Sequence, residues 1–441
     1  MSSVFTCPAC QAPIEPDVRE AGSAFSCQSC GRTYPKLGDI PLLLPDALGT
    51  LELWRNRLAA FVGETQAIER HLWAELVEPK LTDATRQRLR AVAEAMPQQR
   101  TLVLDLFHEV GLGPGSQPAP TEPGSILDFL TLVFRDFAWA PEIDEVTPAF
   151  ARLEAVLPPD LTLGKTLIFG AGTARIAWDL RERLDPNAEL FALDNNPLPF
   201  LVTQRLLRGR SASLYELPGH PRRAEDAAVR RTLRPPFATP PRLQLVFADG
   251  LRAPVRSGTF DTVVTPWFVD QVPSDLAQFL PEISRVLRPR GTWLHTGPFV
   301  YDPGRTKPAH RYSREEFLEL AYAAGFTVTA CDYAPAPHLC SPLSTQGRQE
   351  WVLSVHAVKT GGPADASEPE WLVAGAVPRL EVPADTQWPL PILERVLEAI
   401  DGERSAQDIT RALLELGELA DDGNAETVVR GCLRLIYKAV R

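Results

Sequence analysis

Two cysteine pairs open the chain, Cys7-Pro-Ala-Cys10 and Cys27-Gln-Ser-Cys30. A CxxC turn aims both thiolates at one point, and two such turns supply the four ligands of a closed tetrahedral zinc site. Gly31 follows the second pair, where a tight knuckle calls for a residue free to take positive φ. A closed four-thiolate site keeps no position open for water, so it is structural and not hydrolytic. The alternatives are free or disulfide-paired thiols, or a redox CxxC, which needs only one pair. The other three cysteines, Cys331, Cys340 and Cys432, are scattered.

A second cluster of chemistry lies mid-chain. Thr166-Leu-Ile-Phe-Gly170-Ala-Gly172-Thr-Ala-Arg-Ile-Ala177 reads as a buried strand, a glycine turn and a helix opening near Thr173. The glycines let a ligand approach the backbone, and free N–H groups at the helix start would face it. Glu189 to Asp194 is a second strand ending in an acid, at the distance from Gly172 that suits a carboxylate accepting both hydroxyls of a ribose. Leu243 to Asp249-Gly250 is a third strand ending in an acid, where an adenine amino group could be held. The turn and the acid point to a nucleoside-containing cofactor. Alone they do not separate NAD from S-adenosylmethionine, and the turn lacks the full GxGxxG spacing of a dinucleotide fold.

The elements that must carry these residues separate the two. Thr259 to Trp267 is a fourth strand, and Ser274 to Leu287 a helix with Ser274 as N-cap. Pro289 to Thr296 is a fifth strand, and Ser313 to Ala324 a helix stopped by Gly325. Phe326 to Tyr333 and Gln349 to Lys359 are two closing strands. A helix followed by a hairpin-like strand pair resembles the ending of class I methyltransferases. The expected fold is therefore α/β, a doubly wound Rossmann-like sheet. The resemblance implies S-adenosylmethionine, bounded by Phe169, Gly170, Ala171, Gly172 and Arg175 of the turn, Asp194 and Asn195, Asp249 and Gly250, and Pro266.

Two further resemblances sharpen this reading. Tyr34-Pro35 through Gly38-Asp39-Ile40-Pro41 to Leu44 resembles the small zinc-ribbon protein that activates eukaryotic methyltransferases, which implies a structural Zn(2+) on Cys7, Cys10, Cys27 and Cys30 and a docking role. Phe260 to Asp270, Ile283 to Gly291 and Trp293 to Tyr301 resemble the carnosine N-methyltransferase family, as does the loop Phe169 to Trp178, with no acid two positions before Gly170. In that family the aspartate matching Asp270 and the tyrosine matching Tyr301 line the substrate pocket. The family follows the tyrosine with a histidine; here Asp302 follows. The resemblance implies N-methylation of a small molecule or peptide, with Asp270 holding the acceptor and taking its proton and Tyr301 shaping the pocket. His295 on the fifth strand reads as a core histidine. Two other functions stay open: RNA methylation, and a non-catalytic scaffold, hinted at by Ala174 in place of a third glycine.

Composition frames the rest. The chain has 441 residues, 44% apolar and 23% charged, with a net charge of −11 and 42 prolines. Wholesale disorder is excluded, and bulk electrostatic binding of nucleic acid is disfavoured. No apolar run reaches membrane-spanning length and no signal peptide is legible, so a cytoplasmic protein is expected. Four units are expected: a zinc ribbon over 1–46, a helical segment or lid over 49–159, the methyltransferase-like domain over 160–360 and a small unit over 371–441. In the second unit Arg135, Asp136 or Trp139 could reach a pocket, and 111–124 is a Gly/Pro-rich loop. An Arg/Pro-rich insertion between Leu206 and Arg242 reads as a solvated helix and loop, or as a surface for RNA or an acidic partner. After a linker at 361–370, helices are expected over 391–400, 406–416 and 425–440. The stretch DGERSAQDI resembles small winged-helix domains, which implies docking of a peptide or protein.

Overall fold

The computed structural model describes residues 4–16, 23–116, 126–140, 142–272, 275–360, 371, 375–380, 391–419 and 425–439. The expected linker at 361–370, residues 117–124 of the Gly/Pro-rich loop and the Ser274 cap lie outside these residues. Asp275 caps the helix there, its carboxylate accepting the Ala277 N–H at 2.9 Å.

The chain opens with β1 (Glu15–Pro16), β2 (Ser23–Ser26), β3 (Thr33–Leu37) and β4 (Ile40–Leu43), followed by helices α1 (Ala47–Glu75), α2 (Asp83–His108), α3 (Ile126–Phe137) and α4 (Val146–Ala155). The doubly wound part contains β5 (Lys165–Phe169), α5 (Ile176–Asp179), β6 (Glu189–Asp194), α6 (Pro197–Leu207), β7 (Ala212–Glu216), β8 (Val229–Leu233), β9 (Leu243–Ala248) and β10 (Phe260–Pro266). It continues through α7 (Leu276–Val286), β11 (Leu287–Gly297), α8 (Arg314–Ala323), β12 (Phe326–His338) and β13 (Arg348–Lys359). Three helices close the described chain, α9 (Pro391–Glu398), α10 (Ala406–Glu415) and α11 (Ala425–Ala439).

One sheet of 11 strands runs in the order β1-β2-β3-β4-β9-β6-β5-β10-β11-β13-β12. From β4 to β11 the pairings are parallel, and β13 enters antiparallel between β11 and β12. This is the expected doubly wound α/β fold with its reversed closing pair. Side chains alternate between two apolar cores. Leu167, Phe169, Leu193 and Val263 belong to one core with α7 and α8, which continues to the C-terminal helices. Ile168, Leu190, Ala192 and Val264 face α1, α3, α4 and α6. The period-2 alternation of a strand buried on both faces accounts for these runs.

The ribbon is stitched into this sheet. Gly38 and Asp39 make the two-residue turn between β3 and β4, with Gly38 at φ +63°. Every residue of Ile40–Leu43 is buried. Leu42 and Leu43 pair in parallel with Phe247 and Ala248 of β9. Phe5 meets both Phe25 of the ribbon and Phe191 of β6, at ring separations of 5.3 and 6.1 Å.

The insertion differs from expectation. Its regular elements are a two-stranded antiparallel sheet, β7 with β8, and one short 3-10 turn at Ala224–Ala227. Ala212, Leu214 and Glu216 alternate inward, a period-2 pattern that a helix cannot satisfy. The C-terminal helices form where expected, and Ser405 caps α10 with a capping box to Asp408. Among the described residues no helix is long and apolar enough to cross a membrane.

Leu43 is fully buried where β4 joins β9. Leu43→Ala is expected to cost about 2–5 kcal/mol, the range for truncating a buried leucine. Denaturant unfolding measures it, and a change below about 1 kcal/mol would show the ribbon strand to be a dispensable addition to the sheet.

Candidate active site

The turn after β5 is built from left-handed backbone. Gly170, Gly172 and Ala174 have φ of +56°, +54° and +52°. Glycine takes such angles freely, whereas an L-residue holds them at about 1–2 kcal/mol. Ala174 therefore occupies a glycine position under strain. The helix expected near Thr173 begins at Ile176 and passes into a π-helical stretch at Leu180–Leu184, because a left-handed residue cannot open a right-handed helix.

Asp194, at the end of β6, ties this turn down. Its Oδ2 accepts the Gly172 N–H at 2.7 Å and its Oδ1 the Asn196 N–H at 2.9 Å. Burial pushes its carboxyl above the usual range, against the pull of the backbone N–H groups of Asn196 and Gly172. Each oxygen keeps a further lone pair for a ligand hydroxyl. Asp249 turns into its own loop instead, accepting the Leu251 N–H at 2.9 Å. Asn195, directly after Asp194, is exposed. Gly170 and Gly250 have a second reason to be glycine. A Cβ on Gly170 would stand 1.9 Å from the Phe268 ring, and one on Gly250 would stand 3.2 Å from it. Phe268 in turn stacks on Phe169 at 6.4 Å, so Phe169 is a core residue under the turn.

In front of the turn lies a cavity of about 770 Å³, its open mouth included. Gly170, Ala171, Gly172, Thr173 and Arg175 form one wall, with Pro266 and Trp267 after β10 and Thr296 near the end of β11. Leu132, Arg135 and Asp136 of α3, then Glu145 and Phe150 at α4, cover it. Pro337 and His338 from β12 close the far side.

This cover is tied down by charge. Asp136 accepts the Arg135 Nε–H at 2.8 Å and the Thr173 hydroxyl. Arg175 pairs with Asp179, whose carboxyl burial pushes up to about 6 against the pull of that arginine. Glu145 accepts the backbone N–H groups of Leu339 and Cys340 at 2.9 and 2.6 Å. Glu216 of β7 accepts from the Trp139 indole, Arg231 and Ser341. The insertion is therefore a prop under the β12–β13 loop. Three of its arginines pair with carboxylates: Arg208 with Asp39, Arg223 with Asp226, Arg231 with Glu216 and Glu142.

The residues read from the sequence divide between two places. Gly170, Ala171, Gly172, Arg175 and Pro266 line the cavity, as do Arg135 and Asp136. Phe169, Asp194, Asn195, Asp249, Gly250, Asp270 and Tyr301 are not part of its lining. Asp270 sits in the short turn Val269–Gln271 after β10, its Oδ2 accepting the Val300 N–H at 3.0 Å and its Oδ1 the Gln271 amide at 3.2 Å. Burial pushes its carboxyl up to about 6, and those two bonds resist. Tyr301 stands close enough for the Asp270 charge to add to the rise that burial imposes on its phenol. Its buried hydroxyl has no well-aligned hydrogen-bond partner among the described residues. Tyr301 borders a surface groove with Arg311, Tyr312 and Tyr333. His295 is a core histidine, bonded to Thr265 and held down to about 3 by burial.

At the ribbon, one thiol sulfur from each of Cys7, Cys10, Cys27 and Cys30 lies within 4.8 Å of all the others. The two knuckles share one geometry. Gln11 and Gly31 donate to the carbonyls of Cys7 and Cys27 at 2.8 Å, with φ of +61° and +70°. That donor set and spacing suit a tetrahedral zinc ion.

Residues 167–294 match the sequence model of the methyltransferase domain. The chain carries a methyltransferase domain. Its glycine turn, Asp194, Asp249 and Pro266 all fall inside the matched span, and its fold is that of the S-adenosylmethionine-dependent enzymes. A carnosine N-methyltransferase of Dictyostelium discoideum is 31% identical over 68 residues, 15% of this chain and 13% of that protein. Among solved structures, the methyltransferase found in complex with a methyltransferase activator of Haloferax volcanii is 16% identical, covering 54% of this chain and 98% of that one, at a TM-score of 0.36. Phosphoethanolamine N-methyltransferase 2 of Haemonchus contortus with S-adenosyl-L-methionine is 14% identical, covering 56% and 62%, at 0.34.

The sequence did not single out Glu145, Thr173, Trp267 or His338 as functional. Trp267 carried a faint signal as an aromatic directly after Pro266 at a strand end. His338 carried none, because only the length of β12 brings it over the cavity.

Asp270 gives a test with a definite sign. Its folded value of about 6 lies above the ordinary 3.8. The folded chain holds the extra proton between those values, so this group's contribution to stability falls as pH rises through that window. Asp270→Asn removes the penalty. The variant is expected to be about 1–3 kcal/mol more stable than the parent at pH 8, with the gap closing below pH 4. Denaturant midpoints at the two pH values decide it; a variant less stable at pH 8 would show the carboxylate to be a net stabilising acceptor.

Proposed function

We propose that the chain transfers a methyl group from S-adenosylmethionine to a nitrogen of a small molecule or peptide. The observation that carries this reading is the cavity against the Gly170–Gly172 turn, inside the span matched as a methyltransferase domain. When bound, the cofactor supplies a methyl group activated by a sulfonium leaving group.

The residues have separable roles in this reading. Asp194 holds the ribose hydroxyls through its remaining lone pairs, and Asp249 with Asn195 and Gly250 borders the adenine. Arg135 stands at the cavity beside the turn and offers its guanidinium to the methionine carboxylate. The α3–α4 cover excludes water from the reacting groups. Asp270 and Tyr301 serve the acceptor. The Asp270–Val300 bond joins the loops after β10 and β11, whose ends border the cavity at Pro266 and Thr296. A carboxyl held near neutrality can take a proton from an attacking nitrogen, and a buried hydroxyl without a partner is a place where a ligand atom would be stabilised. The four ribbon thiolates would hold a structural zinc ion, and the C-terminal helices would dock a peptide or protein. RNA as acceptor is the weaker reading, because Arg208, Arg223 and Arg231 of the insertion are paired with carboxylates of the chain.

Calorimetric titration with S-adenosylhomocysteine tests the core of this reading. Micromolar binding is expected, weakened at least about tenfold in Asp194→Ala. No heat from a folded, zinc-loaded sample would overturn it.

The ribbon yields a separate expectation. One zinc ion per chain should be found by elemental analysis. Its loss in Cys27→Ser should lower the thermal midpoint by at least about 2 °C, the shift for roughly 2 kcal/mol in a chain of this size. An unchanged midpoint with zinc absent would make the four thiols an ordinary cysteine cluster.

A further inference from the structure

Asp179 stands on the cavity wall with no role so far. It lies at the end of α5, one helical turn past Arg175, and 0% of its surface is exposed. Arg175 meets it at a single point, Nη1 on Oδ2. A side-by-side pair would occupy both carboxylate oxygens. Here Oδ1 is buried with no hydrogen-bond partner among the described residues. A buried carboxylate oxygen is costly to leave bare, and a ligand in the cavity is positioned to meet it.

The neighbours narrow what that ligand brings. The ionisable groups of the cavity wall are Arg135, Asp136, Glu145, Arg175, Asp179 and His338. Burial and the cations Arg135 and Arg348 hold the His338 ring down to about 2, so it is neutral. Three carboxylates then face two guanidiniums, an excess of one negative charge. The excess has an address. Asp136 accepts the Arg135 Nε–H on one oxygen and the Thr173 hydroxyl on the other. Glu145 accepts a backbone N–H on each of its oxygens. Of the three carboxylates, only Asp179 keeps an oxygen bare. Burial pushes its carboxyl up to about 6; Arg175 and Arg183 pull it down, and the nearby charge of Asp136 pushes it up again.

A metal ion needs several oxygen ligands, and a guanidinium matches two oxygens at once, so neither suits one bare oxygen. A primary ammonium is a compact charge with N–H donors to spare, and it does. Val146, Ala149 and Phe150 of α4 add an apolar lining for the carbon chain that carries it. We propose, resting on the methyl-transfer reading above, that Asp179 Oδ1 seats the primary ammonium group of a ligand in the cavity. Two ligands carry that group in this reading: the cofactor at its amino-acid end, and an acceptor with a charged amine besides the nitrogen it has methylated.

Asp179→Asn removes the charge while keeping the shape and an oxygen for Arg175. Full-length, zinc-loaded protein is titrated calorimetrically at pH 7.5 with S-adenosylhomocysteine and with 5′-methylthioadenosine, which lacks the amino-acid end. The protein loaded with S-adenosylhomocysteine is then titrated with butylammonium and with butanol, followed by ligand-observed NMR. If the cofactor brings the ammonium, the advantage of S-adenosylhomocysteine over 5′-methylthioadenosine falls at least about tenfold in Asp179→Asn. If the acceptor brings it, that advantage stays and the advantage of butylammonium over butanol falls about tenfold instead. Neither falling would overturn the proposal and leave Oδ1 to a trapped water. An equal loss for 5′-methylthioadenosine would also overturn it, making Asp179 a brace of the turn. A second readout covers a variant that does not fold. In the Asp270→Asn background, free of the other carboxyl near 6, the same advantage should shrink at least about threefold between pH 7.5 and pH 5, as Asp179 takes up its proton. A flat profile would overturn the proposal. If neither nucleoside binds the folded parent, the cofactor reading fails; butylammonium and butanol are then titrated into the unloaded protein, where the same comparison decides on Asp179.

Discussion

The bond between Asp194 and the Gly172 N–H is the constraint on which the rest depends. β5 and β6 lie side by side in register from Lys165–Glu189 to Phe169–Leu193. The chain must therefore leave β5 directly beside the end of β6. Three left-handed residues turn it away from the strand, and the Asp194 carboxylate holds that turn at 2.7 Å. Because both its protein bonds come from backbone N–H groups, its position does not depend on any side-chain rotamer but its own. The strain at Ala174 is tolerable for the same reason: the surrounding bonds over-determine the turn.

The cover over this turn comes from four separate parts of the chain. α3 contributes Arg135 and Asp136, the start of α4 contributes Glu145, β7 contributes Glu216, and the β12–β13 hairpin contributes the groups they hold. Nearly every tie is a carboxylate meeting a backbone N–H, a hydroxyl or an arginine. Charged ties buried in this way are worth little as stability and much as geometry, since each breaks at a high cost and tolerates few orientations. The Arg-rich insertion belongs to this scheme. Its role in the fold is to present Glu216 to Trp139, Arg231 and Ser341, which props the loop that carries His338 toward the cavity.

What was legible in the sequence follows from the range of the interactions concerned. The CxxC knuckles, the Gly170–Gly172 turn, the strands leading into Asp194 and Asp249 and the helix stopped by Gly325 are local patterns, and each stands where its residues implied. The helix after the turn was placed too early because Ala174 takes a backbone angle that its residue type does not advertise. The insertion looked like helix and loop because its charges dominate the composition, while the strand alternation of Ala212, Leu214 and Glu216 covers only a few positions. Arg135 and Asp136 were flagged only as residues that could reach a pocket. Their partners, Thr173 and His338, are far away in the chain, and no spacing rule connects them. Glu145 and His338 gave no signal at all, since each acquires its meaning from a hairpin nearly two hundred residues from α4, with Glu145 and Leu339 separated by 194 positions.

The ribbon illustrates why an accessory unit can be fused so close to a catalytic sheet without touching its chemistry. A doubly wound sheet leaves β9 with a free edge, and a free edge of apolar strand invites pairing with another chain. β4 fills that edge with Leu42 and Leu43, and β3, β2 and β1 continue outward in antiparallel pairings of two or three residues each. The sheet thus ends in a knuckled ribbon and not in an open strand. The contact is made at Phe247 and Ala248, immediately before Asp249, so the ribbon braces that strand end while its thiols stay in the ribbon's own knuckles. A ribbon placed there meets the sheet through β9, and also through Phe5 at Phe191 of β6. That is a mechanical role, and a closed four-thiolate centre, with no open ligand position of its own, is suited to it.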